Sequence, residues 1–429
     1  MSFHYYKDTL PSGLRVVTLE TPHLHSAMVT VYVRVGSRHE TQTSSGASHL
    51  LEHLFFRGSR AFPNSVRMNA SVEAVGGNLN GVTTRDLSYY YTPVHPDGVP
   101  VALDVLGDML SRPLLKDLAL EKSIVLEEML DEVDDRGEDV DVENLAKRLR
   151  FGDHPLGLKI AGTSESVKRL RLDQLKAHFA RHYVTGNLVV AVAGPVKRAA
   201  VVARARRAFR FLPRGPPVSE ELAPPPPKGP RLHFVEQDDP QTQFRLSFPS
   251  VPEPHPDFTP VSLLRRILDD GLSSRLPYNV VERRGLAYSV GATVEAFQDA
   301  GAFEIDGASA PHKVAQTVRE VLRTLRSLRA GHIAKEELER ARTRFRMSVE
   351  SQQDSVADLT GWFAGDELFH PPVHFEERCR RVEAVTKADL VRLANTYLSD
   401  ERLLAVAVGP RSSRAPLRKL LKRPGLSPR

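Results

Sequence analysis

Apolar positions along this chain follow two rhythms. VTVYVRVG (29–36) alternates apolar and polar residues in the manner of a strand. NLNGVTT and LSYYYTPV predict two paired strands just downstream. GASHLLEHLFF (46–56) predicts a buried helix, and DGVPVALDVLGDML (97–110), LALEKSIVLEEMLDEV (118–133) and the stretch around Asp173–Tyr183 carry helical spacing. Runs of strands and runs of helices, rather than strict strand–helix alternation, predict an α+β fold with antiparallel pairing.

The pattern recurs. LVVAVAGP (188–195) and LLAVAVGP (403–410) are near copies, with Gly194 and Gly409 separated by 215 positions, half the chain. Each follows a helical segment, DQLKAHFARHY or ADLVRLANTYL, and EELERARTRFRMSVES matches LALEKSIVLEEMLDEV in character and place. A recurrence of this length indicates duplication, not a short-period solenoid. Between the copies, LPRGPPVSEELAPPPPKGPR (212–231) holds four consecutive prolines, which cannot continue a helix or a central strand. The expected organisation is a first half (1–211), a Pro-rich linker (212–231), a homologous second half (232–410) and a basic tail (411–429).

Composition narrows the function classes. With 429 residues, 41% of them hydrophobic, the chain can bury sizeable cores. No stretch approaches the roughly 18 apolar residues that span a membrane. The opening residues lack the apolar region of a signal peptide, so the expected location is the cytoplasm. A single cysteine, Cys379, rules out an internal disulfide and a cysteine-based zinc site. The net charge is +6, but Arg411 to Arg429 holds seven positive residues and no acid, leaving the rest at −1. Basic charge confined to one end reads as a solvated terminus and gives no reason to expect nucleic acid. The acidic run Asp131–Glu143 reads in the same way as a solvated helix end.

The sharpest chemistry lies in His49-Leu50-Leu51-Glu52-His53. On a helix the two histidines, four residues apart, project from one face and can grip one ion. Glu52 lies beside them, able to reach a metal-bound water without ligating. This is the H-x-x-E-H order of inverzincins. Without a metal, two histidines and a glutamate in so apolar a helix would be costly to bury. A catalytic zinc needs a third protein ligand and one open position. The helix predicted at 118–133 offers Glu121, Glu127, Glu128 and Glu132. Glu121 and Glu128, two turns apart, share a face that can give one carboxylate to the metal and another to a ligand histidine.

HLLEHLFFRGS, GGNLNGVTTRDLSYYY, EKSIVLEEM, HPLGLKIAGT and RRGLAYSV follow one another in this order. Together they resemble the M16 (pitrilysin-type) zinc metallopeptidases, and most of all the processing-peptidase subfamily and its short bacterial homologues. The resemblance covers nearly the whole chain, including the duplication. It implies the fold of that family: two homologous halves, each with a mixed or antiparallel sheet and packed helices. It selects Glu128, 75 residues past His53, as the third ligand, and assigns Glu121 to a supporting place behind it. One Zn²⁺ per chain is implied, held by His49, His53 and Glu128, with Glu52 as general base. The implied substrate is an extended peptide lying along an edge strand around Gly77–Thr84, with Asn78, Leu79 and Asn80 as candidate contacts. Family members often have Asn-Ala where this chain has Asn80-Gly81.

The second half carries no zinc motif: no histidine occurs between His255 and His312. The resemblance implies an Arg and a Tyr seven residues apart in this half. Tyr288 matches the Tyr and is a candidate catalytic donor to the substrate carbonyl, but the Arg position is Val281, with Arg283 and Arg284 nearby. The expected activity is that of a zinc metalloendopeptidase acting on extended or unfolded peptides. The alternative is a non-catalytic or weakly active subunit presenting substrate to a partner. The family implies a homodimer, or a heterodimer with a homologous subunit. No nucleic-acid or membrane partner is expected.

Overall fold

The computed structural model describes residues 3–426. Among these described residues, eleven strands form two sheets. The first contains β1 (His4–Thr9), β2 (Arg15–Glu20), β3 (Ala27–Val33), β4 (Asn80–Thr83), β5 (Ser88–Val94) and β6 (Leu188–Gly194), in the order β1-β2-β6-β3-β5-β4. Only β2 and β6 run parallel. The second contains β7 (Arg231–Glu236), β8 (Thr242–Ser250), β9 (Ser289–Ala296), β10 (Gly301–Ser309) and β11 (Leu404–Gly409), in the order β7-β11-β8-β10-β9, with β7 and β11 parallel. With its many helices the architecture is α+β, as the pattern of elements predicts.

The duplication is visible strand by strand. The order β2-β6-β3-β5-β4 corresponds to β7-β11-β8-β10-β9, and the near-copies LVVAVAG and LAVAVG are the interior strands β6 and β11. Every residue of both is buried, which explains their unbroken apolar run. β5 is covered more on one face than on the other and alternates instead. The first sheet carries one strand, β1, that has no counterpart in the second among the described residues.

Two compact units result, and neither is one continuous stretch of chain. Residues up to 130, 158–221 and 350–373 form one; residues 131–157, 222–349 and those from 374 onward form the other. In the second unit, the helix Val142–Phe151 packs on β8 and β11 and places Lys147 beside Glu304 (3.0 Å), while the Nζ also pairs with Glu295. A buried lysine ammonium is tolerable there because two carboxylates meet it.

Two stretches differ from the sequence-based expectations, and a third, the Pro-rich one, keeps the absence of helix and strand that its prolines predict while adding a contact the sequence does not suggest. The helix predicted over 118–133 is α-helical only over Leu118–Glu128 and tightens to a 3-10 turn at Met129–Glu132. Glu127, Glu128, Asp131 and Glu132 put carboxylates at the negative end of the helix, which opposes its continuation. The Pro-rich stretch has no regular secondary structure over 213–229, yet Glu220 within it is nearly buried, 2.6 Å from Arg34 Nε and 3.2 Å from His39 Nε2. Burial alone would raise its carboxyl; hydrogen bonds from His39 and Arg34 and the Arg34 charge overcome that and hold it at about 2. Finally, Arg411–Leu421 is a helix whose Leu417 and Leu421 are buried, rather than a solvated end; residues 427–429 of that stretch lie outside the described residues.

Candidate metal centre

The centre is built entirely in the first unit. Helix Ala47–Phe55 buries Leu50, Leu51, Leu54 and Phe55, so His49, Glu52 and His53 are left on its other side. Its N-cap residue, Gly46, has a left-handed backbone and no capping side chain. The cap comes from upstream: the buried Glu40 carboxylate accepts the N–H groups of Gly46 and Ser48, both at 2.7 Å.

The imidazoles of His49 and His53 lie with centroids 4.7 Å apart. Helix Leu118–Glu128 faces them. Glu128 Oε2 lies 3.9 Å from His49 Nε2 and 3.6 Å from His53 Nε2. One ligand atom from each residue falls within 4.8 Å of the others. Two turns back, the buried Glu121 Oε2 sits 3.0 Å from His53 Nδ1, and its other oxygen pairs with Arg57 Nε. The structure thus brings His49, His53 and Glu128 together and places Glu121 behind His53. Glu127, on the same helix, is exposed and stands apart from the cluster.

The donor set suits zinc: two imidazole nitrogens and one carboxylate, with room for a fourth ligand. Burial, reinforced by the neighbouring His53, lowers His49 to about 4, so its ring is neutral near neutral pH, the form that ligates. His49 Nδ1 is buried and has no hydrogen-bond partner among the described residues.

Glu52 is held separately. Its Oε2 accepts the hydroxyl of Thr83 on β4, and Gly81 packs against its side chain. Burial raises its carboxyl above the usual range, opposed by the Thr83 hydrogen bond.

β4 is the outer strand of its sheet and, among the described residues, pairs only with β5. Thr84 N–H bonds to Leu87 C=O at 2.8 Å, and antiparallel alternation from there turns the main-chain groups of Gly81 and Thr83 outward. Asn78 and Leu79 precede the strand and Asn80 begins it; the Asn80 amide donates back to Asn78 C=O at 2.9 Å.

Tyr288 lies in the second unit, just before β9, and is 91% exposed. Val281 sits in the π-helical turn Pro277–Glu282. Arg284 is engaged, to Asn279 C=O (2.9 Å) and Glu320 (3.3 Å), whereas Arg283 is exposed and makes no ion pair among the described residues.

Sequence reasoning missed Glu40, Thr83 and Arg57. Arg57 carried a signal, since it lies one helical turn beyond His53. Glu40 and Thr83 reach the helix from loop and strand, where spacing gives no clue.

Comparison with known proteins is decisive about kinship. The family model described as "Insulinase (Peptidase family M16)" matches residues 15–164, and "Peptidase M16 inactive domain" matches 169–345. An uncharacterized zinc protease of Mycobacterium tuberculosis is 34% identical over 422 residues, covering 97% of this chain and 95% of that protein. This chain belongs to peptidase family M16. A probable mitochondrial-processing peptidase subunit beta of Arabidopsis thaliana is 26% identical, over 94% of this chain and 78% of that one. The fold is shared with a crystal structure described as a peptidase M16 inactive domain from Pseudomonas fluorescens. It superimposes with a TM-score of 0.87 at 22% identity, covering 95% of this chain and 98% of that one. The first of the two M16 models spans every residue of the metal cluster, and Tyr288 falls within the second.

Proposed function

We propose that this M16 protein is a zinc-dependent endopeptidase for extended peptides. One observation carries the reading: His49, His53 and Glu128 converge on one point while Glu52, beside them, is held by Thr83 and makes no hydrogen bond to either histidine. A purely structural site would need the ligands but not that fourth, separately supported carboxylate.

One Zn²⁺ per chain, held by these three residues, would supply Lewis acidity for the scissile carbonyl and for water. Glu52 takes the proton of the attacking water and passes it to the leaving amine. Its burial suits this role, because a raised carboxyl is a better base. The substrate main chain adds to β4, meeting the outward groups of Gly81 and Thr83, with Asn78, Leu79 and Asn80 flanking it. Tyr288 is the proposed donor to the substrate carbonyl, and Arg283 the cation nearest in sequence to the Val281 position that is free to serve with it.

The deciding experiment pairs metal content with turnover of an unfolded peptide. His49→Ala and Glu128→Gln should lose zinc. Glu52→Gln should retain about one zinc and lose turnover on the order of 10²–10⁴-fold. Zinc retained in both ligand variants, or full turnover in Glu52→Gln, would remove the reading.

A second reading, a substrate-presenting subunit of a hetero-oligomer, is favoured by Val281 in the arginine position. The Arabidopsis relative, too, is named as a subunit.

A further inference from the structure

The two units differ at one sheet edge. In the first, β2 is flanked by β1, which pairs with it antiparallel along all six residues. β1 is also tied to the helix that follows the central strand: Asp8 accepts from Arg198 Nε (2.9 Å) and Nη2 (2.7 Å), and the Arg198 guanidinium lies 5.0 Å from the Tyr6 ring. In the second unit β7 takes the place of β2, and among the described residues nothing pairs with its outer edge.

That edge is ready for a strand. Arg231 N–H bonds to Leu403 C=O and Gln237 N–H to Gly409 C=O, so the odd-numbered residues of β7 face β11. The main-chain groups of Leu232 and Phe234 therefore point outward. Their side chains line a groove of about 370 Å³ against helix Arg411–Leu421, which contributes Arg414, Arg418 and Leu421, with Lys422 just past its end. The three cations are exposed, and none makes an ion pair among the described residues. No acid lines the groove. The first unit shows the solution to the same geometry: an added strand whose acid meets the cation of the helix.

The geometry points to a docking site on β7 for an extended acidic segment of a partner protein, added as an outer strand. Alternate acidic side chains, on the face toward the groove, lay their aliphatic stems beside Leu232 and Phe234 and carry carboxylates to Arg414 and Arg418. A bare polyanion would satisfy the cations but would leave the main-chain edge and the apolar floor without partners.

The probe is a fluorescein-labelled peptide of about ten residues alternating Glu and Val. Anisotropy is read on the full chain carrying Glu52→Gln, so that cleavage cannot consume the probe. Binding should weaken at least about tenfold in Arg414→Glu/Arg418→Glu and weaken with added salt. Leu232→Pro removes one outward N–H and none of the bonds to β11, and should weaken binding with thermal unfolding little changed. Reversal of Arg206 and Arg207, on the helix Arg198–Ala208, should leave binding unchanged. If the Leu232→Pro chain unfolds, Phe234→Ser tests the apolar floor instead. Unchanged affinity in the double reversal overturns the site. So does a single-stranded oligonucleotide of the same charge binding as tightly as the peptide, or a Lys–Val peptide doing so.

Discussion

Glu121 Oε2 lies 3.0 Å from His53 Nδ1, and this contact decides which nitrogen of the imidazole is offered to a metal. A carboxylate can only accept, so Nδ1 carries the proton and the Nε2 lone pair faces Glu128. Arg57, on the other oxygen, holds the carboxylate in place. Glu121→Gln keeps the shape but removes the charge and leaves Arg57 without its partner. Zinc affinity, read by competition with a chelator, should fall about 10–100-fold while the fold is retained. Undiminished affinity would make Glu121 a bystander.

Thr83 does for Glu52 what Glu121 does for His53. Its hydroxyl is the only side-chain donor to that carboxylate among the described residues. Thr83→Val is nearly the same shape, leaves the metal ligands untouched and frees Glu52 to turn away. Turnover should fall on the order of tenfold, the worth of one hydrogen bond, at constant zinc content. If zinc and turnover fell together, the effect would be on the helix and not on the base.

How much of this was legible depends on what kind of spacing carried it. His49 and His53 are one helical turn apart, a local relation that the chain displays directly, and the repeat of β6 in β11 is a near copy of sequence. Glu127 and Glu128 are adjacent, and only the rotation of their helix against the histidines separates them; spacing left both open until family resemblance chose. Glu40 caps a helix that begins across a loop, and its role depends on the chain turning back. The membership of 131–157 and 350–373 in their compact units is a tertiary outcome with no periodic signature. The early end of the helix at Glu128 was readable in principle from the carboxylates crowded at its negative end, but helical periodicity masked it.

Behind the helix Ala47–Phe55 lies a group of histidines that should make stability depend on pH. His178 Nε2 lies 3.0 Å from Ser48 Oγ, and the His178 and His182 rings are 4.4 Å apart. Both nitrogens of His182 are buried and have no hydrogen-bond partner among the described residues. Burial, and then the surrounding charges of His39 and Arg181, lower His178 to about 3; burial, then His178, His39 and Arg181, lower His182 to about 2. A histidine whose folded value is depressed contributes stability that is present above its unfolded value, about 6.5, and lost as pH falls toward the folded value. Each should cost about 1.4 kcal/mol per pH unit below about 6, before most carboxylates titrate. His182→Leu should flatten the fall in urea midpoint between about pH 6 and 5. An identical slope in the variant would show that His182 does not drive it.

The last prediction concerns Val281. A peptidase site needs metal and base, and also a donor to the carbonyl oxygen as charge develops there. The residues proposed for the first set, His49, His53 and Glu128 with Glu52 beside them, lie together, and Tyr288 offers a hydroxyl on an exposed ring. Valine can donate nothing. Arg284 is already committed to Glu320 and the Asn279 carbonyl, so its replacement should lower stability more than turnover. Arg283 has no such commitment, so Arg283→Ala should lower kcat without moving the unfolding temperature if this chain works alone or with a second copy. Tyr288→Phe should then do the same, with zinc content unchanged in both. If the chain instead depends on a homologous subunit, the purified protein should show little turnover. Activity should then appear on mixing with a homologue that lacks H-x-x-E-H but keeps the arginine–tyrosine pair. Full activity alone, sensitive to Arg283 and Tyr288, excludes the divided site; negligible activity alone, restored by that partner, excludes self-sufficiency.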